Sequence, residues 1–370
     1  MGEAVIDTVT VMGLGKVGEL VARLLSTSGF EVCGLDAADR SALSLPFATA
    51  VVDVRDGDAV AHAMRRADAV VSCLPFHLNT RVAEAAHRAG VHYFDLTEDV
   101  ATTTRVRELA AAGADTVLAP QCGLAPGLIG IIGASLTRQF ADVRSIELKV
   151  GALPQNPVGL LGYAFNWSPE GVVNEYLNDC EVVRGGVRKL VPAMTELERV
   201  VIGGHVFEAA LTSGGLGTMC ETYEGVVQRL DYKTLRYPGH FKQMRFFFDE
   251  LGMRDRRDLA GELLVAAKPP VDSDVVYLHA AVGGRLRDDA PDAPGQPFRK
   301  EYVRAYEPRE IDGRTWRAIS WTTAASAVAV LEMVNGGELP RSGFVAQEQI
   351  DFATFLTTRT GALFAGLQTP

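Results

Sequence analysis

The stretch "VMGLGKVGEL" at residues 11–20 places three glycines, Gly13, Gly15 and Gly18, between two apolar segments. Residues 5–12 form an apolar run typical of a buried strand, and residues 16–25 repeat apolar side chains at helical spacing. The glycines are therefore expected in a turn that joins a strand to a helix. This context distinguishes a GxGxxG turn from a chance cluster of glycines.

Each glycine of such a turn has its own physical task. The first makes the tight turn, the second lets the backbone approach a pyrophosphate, and the third allows the helix to pack closely on the sheet. Backbone N–H groups at the start of the helix can then bind phosphates. We predict that a dinucleotide contacts six residues of this turn: Gly13, Leu14, Gly15, Lys16, Val17 and Gly18.

An acidic residue follows at the end of the next predicted strand. Asp36 can accept hydrogen bonds from the adenosine ribose hydroxyls, and its charge repels a 2′-phosphate. The nearest basic residue, Arg40, lies four positions further on, so NAD is predicted in preference to NADP. Asp53 and Val54 follow the next strand and are placed to flank adenine, although Asp53 is equally typical of an ordinary loop cap.

The first 120 residues alternate apolar strands with amphipathic helices through short connections, which indicates a doubly wound parallel sheet, the Rossmann α/β fold class. In such sheets, ligands bind beyond the carboxyl ends of the strands. Two polar stretches, "SCLPFHLN" at 72–79 and "FDLTED" at 94–99, follow predicted strands. The further cofactor contacts predicted are Cys73, Leu74 and Pro75 in the first stretch and, after the next predicted strand, Gln121 and Gly123.

The second of these stretches carries Asp95, Thr97 and Glu98 within four residues. A helix follows it, so Thr97 or Asp99 can serve as the N-cap of that helix. Asp95 lies one residue inside the strand end and is the better candidate for a functional carboxylate.

After residue 125 the pattern changes to strands with longer connections and fewer helices, which favours a largely antiparallel sheet. The last 50 residues return to helical patterns, including residues 346–364 as a predicted helix. We therefore predict a cofactor-binding domain from residues 1–124 and 317–370. Residues 125–316 are predicted to form an inserted α+β domain.

Composition restricts the class of function. The chain has 370 residues, a net charge of -10, no apolar run of membrane-spanning length, no basic block and five widely spaced cysteines. Nucleic acid, membranes and a structural metal are not expected as partners, and the cysteines fit a reducing compartment, the cytoplasm.

Several motifs together resemble the saccharopine dehydrogenase family over nearly the whole chain. Beside the glycine turn, the motifs are "HYFDLTE" (92–98), "QCGLAPG" (121–127), "NWSPEGVVNEY" (166–176), "TSGGLGT" (212–218), "ETYEG" (221–225), "TLRYPGH" (234–240) and "GFVAQEQI" (343–350). Saccharopine-forming members usually have an aspartate where this chain has Ala125. That difference favours the members that oxidise lysine. The last motif departs from the valine-proline-glutamate ending usual in the family, a change expected to affect packing.

The resemblance implies an NAD-dependent oxidation of the ε-amine of lysine to 2-aminoadipate 6-semialdehyde, which cyclises, with release of ammonia. It also implies that the inserted domain, residues 125–316, binds substrate and supplies a dimer surface, so that the protein is a homodimer or higher homo-oligomer. The alternative within the family is a saccharopine dehydrogenase or a related imine reductase, whose second dicarboxylate would need additional basic residues, which Lys149, Lys233 and Arg236 could provide. The alternative of another class is an NAD-binding redox sensor without turnover.

A lysine substrate would need an anchor for its α-carboxylate and a base for its ε-ammonium. The planar guanidinium of Arg236 suits the carboxylate, and His240 can accept a proton near neutral pH. Asp95 and Lys149 are alternative catalytic groups, and Asp95 or Glu98 can orient the ammonium. The other predicted substrate contacts are Thr97, Trp167, Thr212, Tyr223 and Tyr237.

Overall fold

The computed structural model describes residues 6–289 and 294–365. Within them the chain divides into two compact units, one of residues 6–128 and 320–365 and the other of residues 129–289 and 294–319. The boundaries predicted from the sequence, at 124/125 and 316/317, lie within a few residues of this division. Residues 1–5 and 366–370, which the prediction gave to the cofactor domain, lie outside the described residues.

The first unit contains a parallel sheet, and all of its described strand pairs are parallel. Numbered along the whole chain, its strands are β1 (Thr8–Met12), β2 (Glu31–Asp36), β3 (Ala48–Val51), β4 (Ala69–Ser72), β5 (His92–Asp95), β6 (Val117–Ala119) and β17 (Gly343–Phe344). Their spatial order is β17-β6-β5-β4-β1-β2-β3. The order 3-2-1-4-5-6 is that of a dinucleotide-binding doubly wound sheet, so the predicted fold class is confirmed.

Several helices of this unit begin at a capping side chain or end at a glycine. They are α1 (Gly18–Thr27), α2 (Gly57–Met64), α3 (Phe76–Ala89), α4 (Val100–Ala111), residues 320–336 of α10 (Ala318–Gly336), and α11 (Phe352–Phe355). Asp56 caps α2 by accepting N–H groups of its first turn, and Asp99 caps α4 in the same way. Gly90 ends α3 in the left-handed region. Of the helices in the described residues, none is long and apolar enough to cross a membrane.

The core of the first unit contains the central strands and the helices that cover them. All four residues of β4 and of β5 are buried, as expected for strands that are covered on both faces. Val82 of α3 and Val106 of α4 belong to one apolar cluster with Val70 and Tyr93 of these strands. This packing fixes where the strands end, and hence where the turns beyond them lie.

The second unit contains a mixed sheet in which, of the described pairs, only β12 with β7 is parallel. Its strands are β7 (Phe140–Pro154), β8 (Cys180–Arg184), β9 (Val187–Val191), β10 (Glu198–Ile202), β11 (His205–Leu211), β12 (Arg229–Arg236), β13 (Asp274–Leu286) and β14 (Pro297–Tyr306). The main order is β10-β11-β12-β7-β13-β14, with β8 on β12 and β9 on β8. A separate hairpin joins β15 (Arg309–Ile311) to β16 (Arg314–Trp316).

Five helices accompany this sheet in the described residues: α5 (Ile129–Thr137), α6 (Pro169–Leu177), α7 (Met219–Tyr223), α8 (His240–Arg245) and α9 (Arg257–Ala267). Helix α5 lies so close to β7 that a Cβ at Gly133 would be 2.7 Å from a side-chain carbon of Leu148. Ser168 caps α6 by accepting the N–H of Gly171, and Pro169 follows it at the first helical position.

The prediction of a continuous helix over residues 346–364 is wrong. This segment contains the single turn α11 between two short 3-10 turns, Gln347–Gln349 and Gly361–Phe364. Asp351 starts a new turn by accepting the N–H of Thr354, and the hydroxyl of Thr357 donates to the carbonyl of Thr354. Side-chain hydrogen bonds of this kind offer the backbone an alternative to a continuous helix.

Candidate functional site

The predicted cofactor residues of the first unit follow the carboxyl ends of five neighbouring strands. The glycine turn follows β1, Asp36 ends β2, Cys73 follows β4, Asp95 ends β5 and Gln121 follows β6. The strand order reverses between β1 and β4, which is where doubly wound sheets bind their ligands. The structure therefore brings these residues to one edge of the sheet.

The three glycines of the turn meet different surroundings. Gly13 has a φ of 90°, and a Cβ at Gly18 would lie 1.8 Å from the carbonyl oxygen of Gly13. A Cβ at Gly15 would meet nothing within 4 Å. Gly18 thus allows the close contact of α1 with the turn, whereas Gly15 leaves open space on the side from which a phosphate can approach. This geometry fits a dinucleotide pyrophosphate.

Asp36 is held by the backbone and by Arg40. Its Oδ2 accepts the N–H of Leu14 at 2.8 Å, its Oδ1 accepts the N–H of Ala38 at 2.8 Å, and Arg40 Nη2 lies 3.3 Å from Oδ2. Burial raises the pKa of Asp36, but these hydrogen bonds and the arginine charge more than offset it, so the pKa lies below its usual value. An ionised carboxylate therefore stands where a ribose hydroxyl would bind.

The residues predicted to flank adenine have other contacts. Asp53 is exposed and pairs with Arg55 at 2.7 Å, and these hydrogen bonds lower its pKa to about 2. Val54 belongs to the apolar core. Their contact with adenine remains a prediction.

Asp95 joins two strand ends. It is fully buried, its Oδ1 accepts the N–H groups of Thr97 at 3.0 Å and Gln121 at 2.8 Å, and its Oδ2 accepts the hydroxyl of Tyr93 at 2.7 Å. Burial raises its pKa to about 6, although the hydrogen bonds act in the opposite direction. Three donors occupy both oxygens, so Asp95 is better placed to hold the turn after β6 than to contact a substrate.

The turns after β4 and β6 are held by backbone hydrogen bonds. The N–H of Cys73 donates to the carbonyl of Met12 at 2.8 Å, and Leu74 and Pro75 lead into α3. Beyond Gln121, Gly123 accepts the N–H of Leu128 at 2.9 Å.

Sequence reasoning did not find one residue at this edge, Gln347. Its Nε2 donates to the carbonyl of Pro120 at 2.9 Å and lies 3.4 Å from the Sγ of Cys122. A separation of more than 220 positions gives no local signal for such a contact. Gln347 therefore connects the C-terminal segment to the turn after β6.

The second unit buries Arg236 in an aromatic and acidic surrounding. Its Nε donates to the hydroxyl of Tyr176 at 2.7 Å, and its Nη1 donates to the carbonyl of Leu235 at 2.9 Å. The ring centroid of Tyr163 lies 4.5 Å from its Cζ, and a Glu175 oxygen lies 3.8 Å from its Nη2. We call Arg236, Tyr163, Tyr176 and Glu175 the arginine cluster. The cation and the carboxylate stand side by side in it.

His240 adjoins this cluster through Tyr176. The carbonyl of Leu161 lies 2.8 Å from its Nδ1, and the hydroxyl of Tyr176 lies 2.9 Å from its Nε2. Because the Leu161 carbonyl can only accept, Nδ1 donates and Nε2 accepts, which is the neutral tautomer. Burial and the charge of Arg236 lower the pKa of His240 to about 3. With both nitrogens occupied, His240 is better placed to orient Tyr176 than to take a proton from a substrate.

Trp167 and Thr212 are the remaining predicted residues near this cluster. The Nε1 of Trp167 donates to the hydroxyl of Tyr163 at 3.2 Å. Thr212 lies 2.6 Å from Thr234, whose side chain shares the Arg236 face of β12.

Tyr237 and Tyr223 have contacts elsewhere. The hydroxyl of Tyr237 donates to Pro154 at 2.9 Å, and that of Tyr223 lies 3.4 Å from Thr137. Neither of these two hydroxyl contacts involves Arg236.

Lys149 lies on the other face of the sheet. It is opposite Lys233 in the parallel pairing of β7 with β12, so the two side chains share a face. Arg236 follows Lys233 by three positions and points the other way, because successive residues of a strand alternate. Both lysines are buried and lie 3.5 Å and 3.1 Å from Glu198, and Lys149 is also 3.4 Å from Glu147. Lys149 is thus a paired ammonium away from the arginine cluster.

Tyr176 and Glu175 were not predicted, although both lie in the quoted motif "NWSPEGVVNEY". They stand at the C-terminal end of α6, and only the packing of α6 beside β12 brings them to Arg236. As for metals, the described residues contain no group of three or more His, Cys, Asp or Glu side chains that could hold one.

Comparisons with known proteins cover both units. Residues 9–119 match the family model described as the saccharopine dehydrogenase NADP binding domain. Residues 123–359 match the model described as the saccharopine dehydrogenase C-terminal domain.

Solved structures resemble the chain in fold. An apo histidine-tagged saccharopine dehydrogenase (L-Glu forming) from Saccharomyces cerevisiae superposes with a TM-score of 0.77 at 15% identity, over 98% of this chain and 99% of that chain. A probable dehydrogenase from Thermotoga maritima matches with a TM-score of 0.43 at 12% identity, over 94% of this chain and 93% of that chain. At such identity the yeast structure shows the fold alone.

Proposed function

Because the chain belongs to the saccharopine dehydrogenase family, and is thereby an oxidoreductase with a nicotinamide-cofactor domain, we propose that it oxidises the ε-amine of L-lysine with NAD. The product is 2-aminoadipate 6-semialdehyde, which cyclises, and ammonia is released. When bound, the nicotinamide supplies the acceptor for the hydride. The glycine turn would hold the pyrophosphate, and Asp36 would accept hydrogen bonds from the adenosine ribose.

The observation that carries the choice of lysine is the position of the charges in the second unit. A saccharopine substrate carries a second dicarboxylate group, for which Lys149 and Lys233 were the candidate anchors. Both lysines lie on the opposite face from Arg236 and are paired with Glu198. Within the arginine cluster itself Arg236 is the one cation, which suits a substrate with one carboxylate.

The arginine cluster also matches the two charges of an α-amino acid. Arg236 presents a guanidinium that can bind the α-carboxylate, and Glu175, 3.8 Å away, can attract the α-ammonium. Tyr163 and Tyr176 fix the guanidinium plane from its faces and its Nε. Because the arginine is held in place before binding, less side-chain entropy is lost when a carboxylate binds.

The proposal is tested by incubating the purified protein with NAD and single amines and following absorbance of the reduced cofactor. Lysine, ornithine, saccharopine and 1,5-diaminopentane form the panel, and ammonia is measured at the end. Signal with lysine together with ammonia supports the proposal. Signal with saccharopine alone supports the alternative within the family, and cofactor binding without turnover of any amine supports a redox sensor.

The carboxylate anchor has its own test. Replacing Arg236 with Gln should raise the KM for lysine roughly 10- to 150-fold, since a hydrogen bond to a charged group contributes about 1.5–3 kcal/mol. The diamine lacks the carboxylate, so its kcat/KM should change little. Arg254→Gln is the matched control, because Arg254 is exposed and pairs with Asp249 alone among the described residues. An unchanged KM for lysine in Arg236→Gln would contradict the assignment.

Cofactor preference is part of the proposal. Asp36→Ala should lower the affinity for NAD and raise that for NADP, because the substitution removes the charge that repels a 2′-phosphate and leaves Arg40 available to it. Fluorescence titration with the two reduced cofactors measures both affinities. A wild-type protein that binds NADPH more tightly than NADH would contradict the choice of NAD.

A further inference from the structure

Glu98 is the carboxylate of the turn after β5 that has no partner side chain among the described residues. Asp95 accepts three donors, the hydroxyl of Thr97 accepts the N–H of Asp99 at 3.1 Å, and Asp99 caps α4 through the N–H of Thr102. Among the described residues, the Glu98 side chain has no ion pair within 4.0 Å and no hydrogen bond except with its own backbone. The turn therefore uses its other polar side chains for its own structure and leaves this one available.

The surroundings of Glu98 favour a group that changes its protonation. Glu98 is half-buried and directly follows the carboxyl end of β5, the edge where doubly wound sheets bind ligands. Burial raises its pKa, and the neighbouring charges of Asp99 and Asp95 raise it further. A half-buried carboxylate with acidic neighbours and no cation is suited to proton exchange at a functional site.

We propose that Glu98 is the acid–base group that exchanges a proton with the reacting nitrogen of the substrate. This inference rests on the proposed amine oxidation. In the forward direction its carboxylate takes one proton from the ε-ammonium: an N–H bond breaks, an O–H bond forms, and the electron pair of the broken bond stays on nitrogen. The neutral amine can then donate that pair when the adjacent carbon loses hydride. In the later hydrolysis, water adds to the iminium carbon and loses a proton to solvent. The protonated Glu98 then returns its proton to the nitrogen, and the C–N bond breaks as ammonia leaves and the carbonyl forms with loss of the hydroxyl proton to solvent.

We assign this role to Glu98 rather than to Asp95 or His240, two of the three catalytic groups predicted from the sequence; the third, Lys149, is paired with Glu147 and Glu198. Asp95 is fully buried with both oxygens occupied, and His240 has both ring nitrogens occupied. A base must reach the proton that it takes, so an occupied group would first have to break its own hydrogen bonds. Within the part of the chain that the structure describes, Glu98 has no hydrogen bond to another side chain that it would have to break.

The test compares Glu98→Gln, which keeps the size of the side chain, with Glu84→Gln. Glu84 is a half-buried glutamate of the same unit that pairs with Arg105 at 2.8 Å. We expect Glu98→Gln to lower kcat about 10²- to 10⁴-fold, the usual effect of removing an acid–base group. The limb of the pH–rate profile that reports this group should disappear, and a small carboxylate such as formate should restore part of the rate. Glu84→Gln should keep the wild-type kcat and pH profile.

Two further measurements do not depend on turnover. Fluorescence titration with the reduced cofactor should give the same affinity for Glu98→Gln as for the wild type. Carbon NMR of protein with ¹³C-labelled glutamate side chains should show one carboxyl that titrates above the ordinary glutamate range and is missing from Glu98→Gln. If the missing carboxyl titrates in the ordinary range or below it, the proposal is wrong.

Failure of this inference and failure of the proposed function are distinguishable. A wild type that oxidises lysine, with Glu98→Gln within about threefold of it, overturns the role of Glu98 and leaves the function standing. A wild type that oxidises another amine but not lysine, with Glu98→Gln impaired, overturns the substrate and supports Glu98. A wild type that oxidises no amine overturns both.

Discussion

Replacing Tyr176 with Phe removes one buried oxygen and keeps the ring. That oxygen accepts the Nε of Arg236 at 2.7 Å and bonds the Nε2 of His240 at 2.9 Å. The ring contacts with His240, Phe241 and Phe248 would remain. The variant therefore measures the hydroxyl network and not the packing.

The expected loss of unfolding free energy is the sum of the contributions of these two hydrogen bonds. A bond to a charged group contributes about 1.5–3 kcal/mol and a neutral one about 0.5–1.5 kcal/mol, so Tyr176→Phe should reduce the free energy of unfolding by about 2–4 kcal/mol. With an m-value of about 2–3 kcal/mol/M, the urea midpoint should fall by about 1–2 M. The fluorescence of Trp167, whose indole bonds the adjacent Tyr163, reports the unfolding of this unit.

Tyr163→Phe is the matched control. Its hydroxyl accepts only the partly buried Trp167 Nε1 among the described residues, at 3.2 Å, so a loss of about 0.5–1.5 kcal/mol is expected. The reasoning is refuted if Tyr176→Phe costs less than about 1 kcal/mol, or no more than Tyr163→Phe. In the active protein, Tyr176→Phe should also raise the KM for lysine, since Arg236 would lose the bond that orients it.

Three further predictions concern the glycine turn and the two buried titratable groups. Gly18→Ala should abolish cofactor binding or folding, because the new Cβ would lie 1.8 Å from the backbone oxygen of Gly13. Gly15→Ala should keep the wild-type melting temperature and weaken only cofactor binding, as measured by fluorescence titration. The depressed pKa of His240, about 3 against about 6.5 in the unfolded chain, should lower stability as the pH falls from about 6.5 towards 3, by at most about 1.4 kcal/mol per pH unit. Urea unfolding at pH 7, 6 and 5 measures how the free energy of unfolding changes with pH. This change should be smaller for His240→Asn than for the wild type, and an equal change would count against the burial of a neutral imidazole. The raised pKa of Asp95, about 6, has the opposite effect, because the free energy of unfolding that it contributes is lost as the pH rises from about 4 to 6. Asp95→Asn should remove this decline in stability. A decline of the same size in the variant would contradict the prediction.

Local patterns allowed the fold class and the cofactor edge to be predicted. The glycine turn, the strand that precedes it and Asp36 lie within 30 residues of one another, and hydrophobic periodicity reports such short-range order. The helix predicted over residues 346–364 failed for a local reason as well. Threonine and aspartate side chains compete there for the backbone groups that a helix would use.

The predicted substrate-binding and catalytic residues of the second unit could be chosen only by residue type. Arg236, His240 and Lys149 all had the chemistry of a site, and nothing in the sequence showed which of them share a face. That depended on the register of β12 against β7, and register is set by the packing of the whole sheet. Tyr176 and Glu175 were missed because their contact with Arg236 spans about 60 positions.

The sequence by itself determined a dinucleotide-binding sheet, its glycine turn and a polar edge, because each depends on residues that are neighbours along the chain. Only the tertiary structure decided how the polar groups are used. Hydrogen bonds between distant segments occupy Asp95 and His240. The strand register places Lys149 on the opposite face from Arg236, where it is paired with Glu198. Glu98 is left without a partner side chain among the described residues. A titratable group acquires its function from the donors, charges and burial that surround it, and these come from the whole fold.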